Sequence, residues 1–88
     1  MMYKLLYTNV AIKQINKLDK TDKQLLDNWL RKHLKDTNNP RQYGKPLVGN
    51  KKGLWRYRIG NYRLIVDIQD DKLIILALNF GHRNNIYK

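Results

Sequence analysis

The chain contains no cysteine, which excludes disulfides and thiolate zinc sites and suits a reducing cytoplasm. Acidic residues are scarce: seven Asp and Glu stand against eighteen Lys and Arg, a net charge of +11 on 88 residues. A surplus of that size repels itself in a compact state and needs an anionic partner. Nucleic acid fits best, because cations that neutralise phosphates release condensed counterions, although an acidic protein could use the same charge. Long apolar runs are missing too. No segment approaches the ~20 apolar residues that span a bilayer, and Met1 to Val10 lacks the apolar stretch of a secretion signal. The sequence therefore predicts a soluble cytoplasmic protein without a membrane partner. Two distant histidines and scattered carboxylates make no metal motif, and no Gly-rich nucleotide loop or Ser/Cys nucleophile signature occurs. No cofactor or metal is expected, so any catalysis should be metal-free.

What is present is ordinary globular material. Hydrophobic residues make up 42% of the chain, enough for one small core, and the whole of 1–88 is expected to form a single domain. Tyr3 to Tyr7 reads as a strand that ends at a helix cap, Thr8-Asn9. Ala11, Ile12, Ile15 and Leu18 recur at helical spacing. Thr21 to Gln24 matches a capping box and should start a second helix, with Leu25, Leu26, Trp29, Leu30, His33 and Leu34 as its apolar stripe. His33, one turn from Trp29, reads as structural. Asp36 to Pro40 ends that helix. Arg41 to Gly53 is then a basic loop in which Arg41, Lys45, Lys51 and Lys52 are candidate RNA contacts.

Three β-rich runs follow, Leu54 to Ile59, Tyr62 to Gln69 and Lys72 to Phe80. The order β-α-α-β-β-β predicts an α+β fold: a small, mostly antiparallel sheet with an αα-hairpin packed on one face. Gly60-Asn61 suits a two-residue type I′ or II′ turn, and such a loop fixes register. Ile59 then pairs with Tyr62, Arg58 with Arg63, Tyr57 with Leu64, Arg56 with Ile65 and Trp55 with Val66. Trp55, Tyr57, Ile59, Tyr62, Leu64, Val66 and Ile68 share a core face, while Arg56, Arg58 and Arg63 share the other. Opposed arginines cost roughly a few tenths of a kcal/mol, which stability alone would avoid. Their planar guanidinium groups suit a phosphate; the plainer reading is a solvated face moderated by Asp67 and Gln69. The last run is apolar on both sides and should lie inside the sheet, leaving a partly apolar second face, for a protein partner or for packing by the loop.

After the sheet come His82, Arg83 and Tyr87, side chains able to transfer a proton, bind an oxyanion and stack on a base. Taken together, Pro40-Arg41 with Gly44-Lys45-Pro46-Leu47, Trp55-Arg56-Tyr57-Arg58 with Tyr62-Arg63-Leu64, and Gly81-His82-Arg83 with Ile86-Tyr87 give the chain its likeness. Over essentially its whole length it resembles the RelE/ParE toxin superfamily, and within it the RelE-like toxins. The resemblance implies a ribosome-dependent endoribonuclease that cleaves mRNA in the A site. The substrate 2′-hydroxyl would attack the adjacent phosphate, leaving a 2′,3′-cyclic phosphate and a 5′-hydroxyl. It further implies a site of Arg58, Arg63, His82, Arg83 and Tyr87, in which Arg63 and Arg83 stabilise the phosphorane and Tyr87 orients or stacks on the substrate. Arg56 joins the RNA contacts. The family often has lysines where this chain has Arg56 and Arg58, and arginine is essentially never deprotonated. His82 is thus the preferred proton-transfer residue, with Lys52 or Tyr87 as the alternative. A cognate antitoxin, the ribosome and mRNA are the implied partners, and the toxin–antitoxin complex would bind operator DNA through the antitoxin. A ParE-like gyrase inhibitor and a non-enzymatic RNA-binding module are the competing readings.

Overall fold

Strand β1 (Lys4–Tyr7) stops where Thr8 turns the chain into helix α1 (Asn9–Asn16). The Thr8 hydroxyl accepts from the Ala11 amide at 3.1 Å and donates to the Leu78 carbonyl at 3.2 Å, so the helix cap also ties α1 to the last strand. Helix α2 (Lys20–His33) starts earlier than the capping-box reading has it. Its cap is Asp19, whose Oδ1 accepts from the Asp22 amide at 2.8 Å, and Thr21 lies inside the first turn. A carboxylate makes a charge-assisted bond there and complements the positive helix end, an advantage that a hydroxyl lacks.

The computed structural model describes residues 2–49 and 53–82. After α2 the chain forms β2 (Lys45–Pro46), β3 (Trp55–Ile59), β4 (Tyr62–Gln69) and β5 (Ile74–His82). The five strands lie in the order β1-β5-β4-β3-β2, antiparallel except for β1, which runs parallel to β5. β5 is therefore interior, as its two apolar sides require. The short edge strand β2 falls in the segment expected to be loop. Gly44 makes it possible: with φ +81 it brings the backbone so close to β3 that a Cβ would stand 2.1 Å from the Arg56 carbonyl oxygen.

The β3–β4 register is the one that the two-residue loop dictates, from Trp55 opposite Val66 to Ile59 opposite Tyr62. Positive φ occurs at Gly60 and not at Asn61, which selects type II′ over type I′. Between β4 and β5 the register shifts: Ile65 faces Asn79 but Val66 faces Ala77, so Leu78 is an extra residue in a bulge. Its effect is on side-chain phase. Ile75 and Ala77 point to the helices, and the extra residue returns Phe80 to that same side.

The core lies between this face and the helices, with Ala11, Leu26, Leu30 and Leu34 packed on Tyr57, Ile59, Leu64, Val66, Ile75, Ala77 and Phe80. Two residues counted in the apolar helix stripes look outward instead, since Ile12 is 43% and Leu25 47% exposed. Among the described residues no helix is long and apolar enough to cross a membrane.

Candidate functional site

The second face of the sheet carries no helix of the described chain, and it divides into two halves. Towards the β3–β4 turn, one row across the strands reads Arg58, Arg63, Gly81, and the next reads Lys45, Arg56, Ile65; Asn79, opposite Ile65 beside the bulge, turns its Oδ1 to Gln14 Nε2 of α1 at 3.5 Å. Residues directly opposed on adjacent strands share a face, so Lys45, Arg56, Arg58 and Arg63 stand together. Neighbouring strands are about 5 Å apart, which packs four cations into a small area. Lys45 and Arg58 are exposed, while Arg56 and Arg63 are half-buried. Gly81 adds no side chain beside Arg63, and a Cβ built on it would meet nothing within 4 Å. The other half is mixed: Ile74 and Leu76 are half-buried and Leu6 is 45% exposed, with Lys4, Asp67 and Gln69 opposite them on the neighbouring strands. Ile65 and Leu47 are buried yet stand outside the main core cluster.

Arg41 is not part of this group. Its guanidinium makes two 3.0 Å bonds to the Asp70 carboxylate, at the β4–β5 turn. Seven residues of strand separate Asp70 from Arg63, about 23 Å at the rise of an extended chain. The Tyr3 hydroxyl also donates to Asp70, at 2.7 Å. Arg41 and then Tyr3 hold the Asp70 carboxyl below its ordinary range. Beside them the buried Tyr57 hydroxyl donates to the Pro40 carbonyl, and burial pushes its pKa up. The Trp55 indole donates to the Tyr43 carbonyl at 2.7 Å, and His33 fills the space between the rings of Trp29 and Tyr43 at 4.6 and 4.5 Å. These contacts fasten the loop after α2 and account for His33 as a packing residue.

His82 also parts from the arginines. It pairs with Tyr62, so its side chain stands on the helix side, one residue beyond the row of Arg58 and Arg63 but on the opposite face. There it caps a ladder of rings. His82 lies 4.6 Å from the Tyr62 ring at 33°, and Tyr62 lies 5.0 Å from Phe80 at 19°. The Tyr62 hydroxyl donates to Asp22 Oδ2 at 2.6 Å, and that carboxylate raises the hydroxyl pKa to about 12. A cavity of about 700 Å³ opens beside the ladder, lined by Gln14, Lys17, Asp22, Asn79 and Gly81. Sequence reasoning missed this ladder, because pairing Tyr62 with His82 requires the Leu78 bulge. Lys51, Lys52, Arg83 and Tyr87 lie outside the described residues. Among the described residues no group of three or more His, Cys, Asp or Glu could hold a metal ion.

A family model described as the ParE toxin of type II toxin–antitoxin systems, parDE, matches residues 5–87. The chain belongs to the RelE/ParE superfamily of type II toxins. Among characterised members, Toxin RelG of Mycobacterium tuberculosis is 35% identical over 52 residues, a match that spans 59% of this chain and 60% of that toxin. In three dimensions the fold is similar to the RelBE2 toxin–antitoxin complex of M. tuberculosis, with a TM-score of 0.79 at 25% identity over 94% of this chain and all of that one. The isolated E. coli RelE toxin gives a TM-score of 0.72 at 24% identity, over 91% of this chain and 83% of its own, and shares the fold. In this RelE/ParE toxin the cations of three strands collect on the helix-free face, and the arrangement can hold an extended polyanion.

Proposed function

We propose that this superfamily toxin is an mRNA endoribonuclease of the RelE type, acting in the ribosomal A site and restrained by a cognate antitoxin. One observation carries the reading: Lys45, Arg56, Arg58 and Arg63 line one face of the sheet, with Arg58 directly opposite Arg63. In this reaction the 2′-oxygen forms a bond to phosphorus as the bond to the 5′-oxygen breaks. One proton leaves the 2′-hydroxyl and one reaches the departing oxygen. Fixed positive charge beside the phosphate lowers the barrier, because it needs no reorganisation as the phosphorane gains charge. Arg58 and Arg63 supply that charge with Arg83, while Lys45 and Arg56 hold flanking phosphates together with Lys51 and Lys52. Arginine cannot be the base. Because His82 stands on the other face, proton transfer falls to Lys52 or Tyr87.

The antitoxin proposal is supported by Leu6, Ile74 and Leu76 on the other half of the same face, by the net charge of +11, and by the similarity to a RelBE toxin–antitoxin complex. A partner with apolar and acidic segments would cover both halves and block RNA, and the pair would bind operator DNA through the antitoxin in the cytoplasm. The matching family description, ParE, favours a second reading, in which the toxin inhibits DNA gyrase and has no use for the arginine row.

The experiment is mRNA cleavage in a translating extract, with 5′ ends mapped for the intact protein, Arg83→Ala, and the double variant Arg58→Ala/Arg63→Ala. A-site cuts by the intact protein should fall by about 100-fold or more in each variant, the scale of losing an oxyanion-binding group. A folded intact protein that leaves mRNA whole but stops gyrase supercoiling would replace this reading with the second.

A further inference from the structure

The ring ladder at the end of the sheet has no part in holding the phosphate, and yet it is built with some rigidity. Phe80 is 2% exposed and fixed in the core. Tyr62 is held at both ends, by its stack on Phe80 and by the 2.6 Å bond to Asp22 across from α2. The Phe80 amide donates to Gln14 Oε1 at 2.6 Å, which ties the β5 edge to α1 at the same point. The third ring, His82, is exposed and lies tilted at 33° against this support, with the cavity of about 700 Å³ alongside. The core proper ends at Phe80, which is buried, while Tyr62 is half-buried and His82 lies beyond it at the surface. A planar ligand gains from a ring that is already immobilised, because the ordering cost is met before binding.

The surroundings indicate which planar ligand. Tyr62 and Arg63 are chain neighbours on opposite faces, and Arg58 and Gly81 flank Arg63, so the cations lie one sheet thickness from the ladder. The Gly81 position leaves the surface beside Arg63 open. A chain that carries phosphates and aromatic rings at alternating positions would meet both features at once. Every nucleobase has a π face, so stacking of this kind tolerates sequence.

We propose that His82, supported by Tyr62, Phe80 and the Asp22 anchor, is a nucleobase-stacking subsite for single-stranded RNA, taking a base next to the phosphate held by Arg58 and Arg63. This rests on the RNA reading of the arginine face, and it gives His82 a binding role instead of proton transfer. Tyr62 and Asp22 act through His82 as positioning residues.

The test uses the intact protein and a short 2′-O-methyl RNA, which cannot be cleaved, carrying 2-aminopurine or an abasic residue at one position in turn. Stacking quenches 2-aminopurine. At low salt the intact protein should bind and quench. His82→Ala, which removes an exposed ring and spares the core, should weaken binding about tenfold, within the range for one base–aromatic stack, and abolish the quench. His82→Phe, which cannot carry a proton, should restore both. The abasic oligonucleotide should bind the intact protein about tenfold more weakly and His82→Ala no more weakly still. Arg58→Ala/Arg63→Ala should weaken intact and abasic oligonucleotides alike. Tight binding and full quenching by His82→Ala would overturn the stacking subsite and leave the arginine reading standing. Binding that is insensitive to both His82 and the arginines, or absent, would overturn both.

Discussion

Gly44 is the position where a single methyl group would do most damage at the surface. Its backbone has φ +81, and an added Cβ would meet the Arg56 carbonyl oxygen at 2.1 Å and the Trp55 indole nitrogen at 2.8 Å. One of these obstacles is backbone and cannot rotate away. Gly44→Ala should therefore destabilise the protein by about 2–4 kcal/mol, combining left-handed strain with displacement of the edge strand. Urea unfolding would register this as a lower midpoint at unchanged slope. A midpoint equal to that of the parent would mean that β2 does not approach β3 as described. Because the Arg56 carbonyl is part of the clash, the same substitution disturbs Lys45 and Arg56 and should weaken RNA binding at the rim of the site.

At the scale of elements, the Arg41–Asp70 pair joins the loop after α2 to the β4–β5 turn, with Tyr3 at the start of β1 as the third member. Asp70 titrates below its ordinary value because Arg41 and then Tyr3 favour the carboxylate. A carboxyl whose folded pKa is depressed contributes stability above its unfolded pKa, near 3.8, and loses it as pH falls through the folded value. Asp70→Asn should therefore flatten the acid limb of a stability–pH curve below about pH 4 and shift it little between pH 6 and 8 relative to its own plateau. An unaltered acid limb would show that the pair does not persist in solution. Elements also differ in how far the sequence announces them. The β3–β4 pairing was legible because a two-residue loop allows one register. β5 was legible as an interior strand, but with Leu76, Ala77 and Leu78 in succession nothing marks the side-chain phase, and the bulge that decides it is invisible. Hence the sequence groups His82 with the arginines, whereas it belongs to the helix side. Asp19 is hidden as a cap because the Thr21–Gln24 pattern satisfies the same rule two residues along, and β2 is hidden by Gly44 and Pro46, both residues that signal loop.

For the whole molecule the controlling quantity is charge, since +11 on 88 residues biases the molecule towards polyanions. Binding specific to the arginine face should nevertheless have a countable salt dependence. If Lys45, Arg56, Arg58 and Arg63 each neutralise one phosphate of a single strand, log K should fall with log salt at a slope near −2.8, about −0.7 per contact. Removing one of the four should make the slope shallower by about 0.7, whereas removing a distant cation such as Lys35 should leave it unchanged. Slopes indifferent to which lysine or arginine is removed would indicate a diffuse cloud of charge with no defined groove. The sequence discloses the surplus of cations at once, but only the sheet separates the four that share the turn half of one face from Arg41, which is paired with Asp70.

The parallel pairing of β1 with β5 has a consequence in time. Lys4 has its partner at Ile74, and Tyr7 at Ala77, so the first strand made must wait for nearly the last. At about 5–20 residues per second, some seventy residues of synthesis take roughly 4–14 s. Until then β1 has no neighbour, β5 has no place, and the row of Arg58 and Arg63 is not flanked by Gly81. A nascent chain of this toxin thus lacks its finished arginine face until the parallel pair closes.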